Sequence, residues 1–243
     1  MIVAPLDGAL RVVTQNDHAH FAAELLGLWR PLADHPRRDS LLLAAREHDN
    51  GWREADSAPR RREDGRPHDF LSIPEPLRRE LWQRGTERAR SGDPWAALLI
   101  LEHALTLHRD RGDQPEWQQL LETWKEQRET LLEELREAGA TETESDLADD
   151  YRLLDLADLA SLKVTCPWPE RQERHGFTLE GADDGLRLAP LPLVGSTRFE
   201  IPCRTIPDRP YDGDQDLAVE LAVARWESMT VRVALLERGG GPI

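Results

Sequence analysis

Five residues that could hold a metal ion or transfer a proton fall on the apolar faces of predicted helices. His18 precedes Phe21 by three residues and Leu25 by seven, and Asp158 follows Leu154 by four. Residues at these spacings share one face of a helix, so we expect their side chains to point towards the protein interior. The whole set with this placement is His18, His48, Asp49, His103 and Asp158.

These residue types in this placement predict a metal site. An isolated carboxylate in an apolar interior is very costly, so a buried aspartate needs a cation or several hydrogen-bond donors. Two aspartates among three imidazoles would be satisfied together by a divalent ion, and helical cores commonly hold such sites. The adjacent His48 and Asp49 strengthen the prediction, because they end a predicted helix and are followed by Gly51 at a turn. We predict a divalent ion, with Mn, Mg, Fe and Zn all acceptable, bound by His18, His48, Asp49 and Asp158.

Each of these residues also has a purely structural interpretation. A histidine on an apolar face, such as His18 or His103, is commonly a hydrogen-bonded core residue, and Asp158 could pair with another helix or cap it. A third interpretation is a metal ion that only ties the helices together. His108, at the end of its predicted helix, is interpreted as a surface residue that interacts with the helix dipole.

The spacing of apolar residues predicts a helical region between residues 16 and 164. Apolar residues recur there every three or four positions, as the buried face of a helix requires. An arginine-rich loop at 53–73 interrupts the pattern, and residues 139–146 read as a loop or linker. The predicted helices cover 17–29, 40–49, 76–90, 94–108, 115–137 and 147–163.

The two ends of the chain have the pattern of β-strands. Two short β-like runs, 2–6 and 9–14, flank Asp7-Gly8, a dipeptide typical of a tight hairpin turn. Beyond residue 169 the chain alternates apolar and polar positions. Strands are predicted at 178–180, 186–193, 198–203, 217–225 and 230–236, and a helix over 217–225 is the alternative, because Ala and Glu are good helix formers.

The predicted fold class is therefore α+β. A mainly α-helical bundle over 16–168 carries the candidate site. A small antiparallel β-sheet combines the N-terminal hairpin, 1–15, with strands from a β-rich segment, 169–243, which packs on the helical domain.

The charge of the chain narrows the choice of partners. The sequence has 46 acidic and 31 basic residues and a formal net charge of −15, which repels phosphate backbones and anionic membrane surfaces. No apolar run reaches the ~18 residues that a membrane-spanning helix needs, and the first residues lack the pattern of a secretory signal. The two cysteines form no disulfide framework. We predict a cytoplasmic protein that binds neither duplex nucleic acid nor membranes; no pattern indicates an oligomeric state.

The order of the candidate residues resembles that of a known superfamily. A histidine on one helix, a His-Asp pair on the next and an aspartate on a late helix are similar to the pattern of the HD superfamily of metal-dependent phosphohydrolases. The stretch His48-Asp49-Asn50-Gly51 is similar to the core motif of one branch, which continues with lysine where this chain has Trp52.

The chain resembles more closely the family called domain of unknown function 3891. This resemblance covers nearly the whole chain and favours Asp158 over nearby Asp155. The stretches that carry it are Thr14-Gln15-Asn16-Asp17-His18, His48-Asp49-Asn50-Gly51-Trp52-Arg53, Gly65-Arg66-Pro67-His68-Asp69-Phe70, Leu98-Leu99 with His103, and Asp158-Leu159-Ala160-Ser161-Leu162 with Cys166.

The HD resemblance implies an HD-like helical bundle around an ion that lowers the pKa of bound water and neutralises charge on a phosphoryl group. It implies catalytic roles for Asp49 and His103, with His103 holding a second ion or contacting substrate. The 53–70 loop would then lie at the mouth of the site, where Arg66 could clamp a phosphate and Trp52 could stack on a base or sugar. The predicted substrate-binding residues are Gln15, Trp52, Arg66 and Asp69.

Two functions follow from these observations. The first is a metal-dependent phosphohydrolase that acts on a small phosphorylated molecule, such as a nucleotide, through metal-activated water. The alternative is a non-catalytic metal- or nucleotide-binding regulatory module with an HD-like pocket. The missing branch lysine at Trp52 motivates the alternative.

Overall fold

A computed structural model describes residues 1–166, 168, 170–193 and 198–236. Most of its helices pack with a seven-stranded sheet in one large hydrophobic core, and the helix Asp214–Val223 packs in a smaller cluster on the N-terminal hairpin. The helices are α1 (Gln15–Gly27), α2 (Arg38–Glu47), α3 (Arg53–Ser57), α4 (Glu75–Ala89), α5 (Pro94–His108), α6 (Pro115–Glu137), α7 (Glu144–Thr165) and α8 (Asp214–Val223). The strands are β1 (Ile2–Leu6), β2 (Ala9–Val13), β3 (Gln172–Arg174), β4 (Phe177–Ala182), β5 (Gly185–Ala189), β6 (Arg198–Pro207) and β7 (Trp226–Leu235).

Six helices, α1, α2 and α4 to α7, lie close to the predicted ranges, whereas the short helix α3 lies within the predicted 53–73 loop. α5 and α6 have the predicted bounds, whereas α7 begins three residues earlier than predicted. Thr143 and Asp146 form a capping box at its start, in which each side chain accepts the other residue's backbone N–H. The last residues of the predicted 139–146 linker are therefore helical.

The prediction of a small antiparallel sheet on a mainly helical, HD-like bundle is wrong. The seven strands follow the order β1-β2-β6-β7-β5-β4-β3, and the sheet is mixed because β5 pairs parallel with β7. The ten-residue strand β6 pairs with β2 on one side and β7 on the other, which joins the hairpin and the C-terminal strands into one large sheet. Phe199 and Ile201 of β6 belong to the same core as the helices, so the sheet forms part of that core.

The predicted strand at 217–225 is also wrong, and the helical alternative is correct. Leu217 and Leu221, four residues apart, are buried in α8, whereas Val219 and Val223 are 51% and 71% exposed. That is the burial pattern of a helix, although the alternation of the four side chains in sequence also fits a strand. The following strand, β7, begins at Trp226 rather than at 230.

The segments at the two ends meet in the sheet. Hairpin β1–β2 occupies the 1–15 segment, and its second strand pairs with β6. In the 169–243 segment, residues 169, 194–197 and 237–243 lie outside the described residues. Among the helices of the described residues, none has the length and apolarity to cross a membrane.

The turn after the His48-Asp49 pair depends on a glycine. Residues Asn50–Trp52 form a short 3-10 turn that packs against α4. A Cβ atom at Gly51 would overlap the carbonyl oxygen of Leu81 and lie 2.9 Å from the amide nitrogen of Gly85. Because both are backbone atoms of α4, they cannot move aside cheaply.

We therefore predict that Gly51→Ala lowers the free energy of unfolding by about 3 kcal/mol, the upper range for overpacking a close contact. Gly112→Ala is the matched control, because its Cβ would meet nothing closer than an atom 3.8 Å away. Chemical denaturation of both variants measures the effect. Equal stabilities for the two variants would contradict the close approach.

Candidate metal centre

Three helical segments bring two imidazoles and a carboxylate to one point. His18 lies in the first turns of α1, which begins where the Thr14 side chain accepts the amide N–H of Asp17 at 3.0 Å. His48 is the residue that ends α2, and Asp158 lies on α7. All three side chains are buried, and one ligand atom from each lies within 4.8 Å of the others.

The distances among these atoms suit a single ion. His18 Nε2 lies 3.2 Å from His48 Nε2, and each of these nitrogens lies 3.3 Å from Asp158 Oδ1. Ligands held about 2.0–2.1 Å from a transition-metal ion lie about 2.9–3.4 Å apart, depending on the coordination geometry. The triad therefore fits a divalent ion without rearrangement of the backbone.

Asp49 and His103 stand beside this triad. Asp49 Oδ2 lies 3.2 Å from His18 Nε2 and 3.6 Å from His48 Nε2, but Asp49 falls outside the tightest group. His103 Nε2 lies 3.8 Å from Asp158 Oδ2, and its Nδ1 lies 3.5 Å from the hydroxyl of Tyr151. These two titratable residues therefore lie next to the group of His18, His48 and Asp158, which could hold a metal ion.

The hydrogen bonds of the outer ring nitrogens assign the tautomers. His48 Nδ1 lies 2.8 Å from the carbonyl oxygen of Ala45, which only accepts, so Nδ1 carries the proton. Ser161 Oγ donates to the carbonyl oxygen of Asp158 at 3.0 Å and therefore accepts from His18 Nδ1. In the neutral forms both Nε2 atoms present lone pairs to each other, an arrangement that a proton on one ring or a shared metal ion makes favourable.

The carboxylates fix the charge of the site. Burial opposes protonation of His48, but the charge of Asp49 and the contact with Asp158 raise the pKa of His48 to about 9. Burial alone would raise the pKa of Asp49 and Asp158, yet the neighbouring imidazoles hold both below the usual value. The two ionised carboxylates are therefore stable in the interior only beside positive charge. A proton on His48 supplies that charge in the metal-free protein, and a metal ion would replace the proton.

A cavity of about 350 Å³ opens beside the ligands. Gln15, Asp49 and His103 line it together with His18 and Asp158. The side-chain oxygen Oε1 of Gln15 is buried there with no hydrogen-bond partner, so it is available to a ligand. The remaining lining includes leucines, Asp155 and Gln172 as well as aromatic rings and cations, among them Trp52, Phe70, Trp82, Trp168, Arg78, Arg111 and Arg174. A larger cavity of about 650 Å³ contains none of the metal-ligand candidates.

Of the four predicted substrate-binding residues, two line the cavity and two do not. Gln15 and Trp52 line it. Arg66 forms an ion pair with Asp208 away from the cavity. Asp69 accepts the amide N–H of Ser72 at 2.8 Å, which stabilises a turn, and it borders a separate cavity of about 220 Å³.

Several residues that line the 350 Å³ cavity were not predicted from the sequence. His108, interpreted as a surface residue, is buried and stacks on Trp117 with ring centroids 4.3 Å apart. Arg111 lies eight residues after His103 and four after Leu107, a spacing that could have indicated a shared side of the helix. Arg78 and Trp82 carry no such signal, because they reach the cavity only through the packing of α4 on α5.

The neighbouring aspartate on α7 has a different environment. Asp155 accepts two hydrogen bonds from Arg174, at 2.6 and 2.7 Å, and lies 2.6 Å from His175 Nε2. These partners neutralise Asp155 and leave Asp158 to face the imidazoles.

Fold and site together define an α+β protein with a buried group of two histidines and an aspartate that could hold a metal ion, beside a ligand-sized cavity. The chain belongs to the family described as "Protein of unknown function (DUF3891)", which matches residues 1–208. The predicted resemblance to that family is thereby confirmed, whereas membership of the HD superfamily stays a prediction. No curated protein and no solved structure gives a significant match.

Because His108 is buried, we predict that the protein loses stability in acid. Burial lowers the pKa of His108 from 6.5 to about 4, so the unfolded chain binds a proton at higher pH than the native protein does. The free energy of unfolding should therefore fall as pH drops from 6.5 towards 4, by about 3 kcal/mol from this residue. Denaturation of the native protein and of His108→Phe across this range measures the difference.

His108→Phe keeps a ring against Trp117 but cannot titrate, so its stability should depend less on pH over that interval. His20→Gln, at an exposed position on α1, is the control and should behave like the native protein. An acid profile of His108→Phe that matches the native profile would refute the assignment.

Proposed function

We propose that this protein is a metal-dependent phosphohydrolase that acts on a small phosphorylated molecule. The observation that carries the proposal is the buried contact of His18 Nε2, His48 Nε2 and Asp158 Oδ1 at the edge of the 350 Å³ cavity. A bound divalent ion would lower the pKa of a water molecule and neutralise charge on a phosphoryl group. A metal ion that only ties helices together needs no cavity. The cavity beside His18 and Asp158 therefore favours a site that binds and converts a substrate.

The chain's own groups have separable tasks in this proposal. His18, His48 and Asp158 would hold the ion, and Ser161 and the carbonyl of Ala45 orient the two rings. The carboxylate of Asp49 is ionised and can accept a proton beside the triad.

His103 has the environment of a proton donor or acceptor that stays neutral at rest. Burial lowers the pKa of His103, and Tyr151 and Asp158 lie on either side of its ring. The order His18, His48-Asp49, Asp158 resembles that of HD phosphohydrolases in ligand pattern, which adds support for the chemistry.

One observation favours a non-catalytic metal- or nucleotide-binding module instead. Trp52 lines the cavity at the position where the similar branch of HD proteins has a lysine. An aromatic ring can stack on a ligand, but it cannot supply the positive charge of a lysine. Turnover on a panel of phosphate esters decides between the two functions.

We predict that His48→Ala and Asp158→Asn lose bound metal and lower turnover at least about 100-fold, because the charge of the ion contributes several kcal/mol to the transition state. Elemental analysis of the purified variants and a phosphatase and phosphodiesterase panel provide the measurements. His20→Ala is the control on α1 and should keep both properties. Variants that retain metal and turnover would eliminate the proposal, whereas metal binding without turnover in the native protein would select the binding module.

Asp49→Asn should separate binding from catalysis. Because Asp49 lies outside the tightest triad, we expect the variant to retain most of its metal while turnover falls about 100-fold or more, a typical contribution of a proton-transfer group. Elemental analysis and initial rates on the same preparation test this. Loss of metal in proportion to loss of rate would instead make Asp49 an essential ligand.

A further inference from the structure

Two arginines at the cavity share a single carboxylate. Arg111 Nη1 donates to Glu75 Oε2 at 2.7 Å. Arg78 Nε lies 3.3 Å from Glu75 Oε1 but is buried with no hydrogen-bond partner, and Nη2 of the same guanidinium donates to the neutral carbonyl of Leu71 at 2.8 Å. One carboxylate therefore lies within ion-pairing distance of both guanidinium groups, while the charge of Asp69 acts on Arg78 from a greater distance.

The remaining charges of the cavity lining are balanced. Arg174 is paired with Asp155 through two short hydrogen bonds. The carboxylates of Asp49 and Asp158 would match the charge of a divalent ion. Incomplete ion pairing in the lining is thus found at Arg78 and Arg111, which share Glu75, and a partly buried cation without a full partner favours binding of an anion. Burial also lowers the pKa of Arg78, as expected for an undercompensated guanidinium.

A row of rings separates this arginine pair from the metal ligands. Arg111 lies over the ring of Trp117, with its guanidinium carbon 5.1 Å from the centroid. From His103 to His108, α5 rises by about 7.5 Å, and the chain continues past α5 to Arg111. The centroid distances along the row are 5.2 Å for His18–His48, 5.1 Å for His48–His103, 5.8 Å for His103–Trp82, 5.0 Å for Trp82–His108 and 4.3 Å for His108–Trp117.

We infer that Arg78 and Arg111 form an anion subsite that binds a second acidic group of the substrate, apart from the phosphoryl group at the metal ligands. The inference rests on the proposed function for the identity of the reacting group. Aromatic rings, among them Trp52, Trp82 and Trp168, line the same cavity and suit an apolar or aromatic body. The substrate class is therefore a phosphate ester whose ring-containing body carries another phosphate or carboxylate.

Binding of inorganic phosphate to the full chain in the presence of a chelator tests the subsite without metal and without turnover. Isothermal titration should show phosphate binding that weakens about tenfold in Arg78→Gln and in Arg111→Gln, the loss of one charge-assisted contact. Arg84→Gln is the matched control: Arg84 is on α4, pairs with Glu54 and Glu80, and does not line this cavity. Unchanged affinity in both cavity variants, or an equal loss in Arg84→Gln, would overturn the inference.

The substitution Glu75→Gln should change phosphate affinity in the opposite direction to the arginine substitutions. Removal of the shared negative charge should tighten phosphate binding about tenfold, whereas a purely structural role for the cluster predicts weaker or unchanged binding. This variant keeps the shape of the side chain, so the test stands even where Arg111→Gln fails to fold. Weaker or unchanged phosphate binding in Glu75→Gln would contradict the subsite.

A pair of nucleotide probes tests the second acidic group on metal-loaded protein. Adenosine 3′,5′-bisphosphate should bind about tenfold more tightly than adenosine 5′-monophosphate, and Arg78→Gln should abolish the difference while the monophosphate affinity stays the same. Equal affinities in the native protein would overturn the inference. All of these experiments measure binding and do not depend on hydrolysis. The anion subsite can therefore be confirmed in a protein that hydrolyses no substrate, and it can be refuted in a protein that does.

Discussion

Two imidazole nitrogens face each other in the interior of this protein, and two ionised carboxylates stand beside them. His18 Nε2 and His48 Nε2 lie 3.2 Å apart, and hydrogen bonds on the far side of each ring leave both lone pairs directed inward. With both rings neutral this arrangement is unfavourable, because lone pairs and carboxylates repel one another, and either a proton on His48 or a bound metal ion supplies the positive charge that stabilises it. The need for positive charge at this point connects the local geometry to the proposed chemistry.

The rest of the fold serves to hold these groups in place. α1, the end of α2 and α7 come from distant parts of the sequence, and the large mixed sheet packs against the same core. The 3-10 turn after His48 and Asp49 lies against α4 because Gly51 has no side chain. Residues of this turn, α1, α4, α5 and α7 line the cavity together, so its surface and the metal-ligand candidates depend on one packing arrangement.

Local periodicity predicts the helices and the inward direction of His18, His48 and Asp158 well, because a helical face is a local property of the sequence. It predicts the sheet poorly, since pairing of β6 with both β2 and β7 joins residues far apart in the chain. Short apolar runs such as 217–225 fit both periods, and burial in the folded protein decides between them. Arg66, which looked like a phosphate clamp in sequence, instead pairs with Asp208.

The most direct test of this account is anomalous diffraction from crystals of the protein loaded with one divalent transition metal. We expect one strong peak about 2.0–2.2 Å from His18 Nε2, His48 Nε2 and a carboxylate oxygen of Asp158. Absence of a peak among these atoms at saturating metal, or a peak only elsewhere on the molecule, would contradict it.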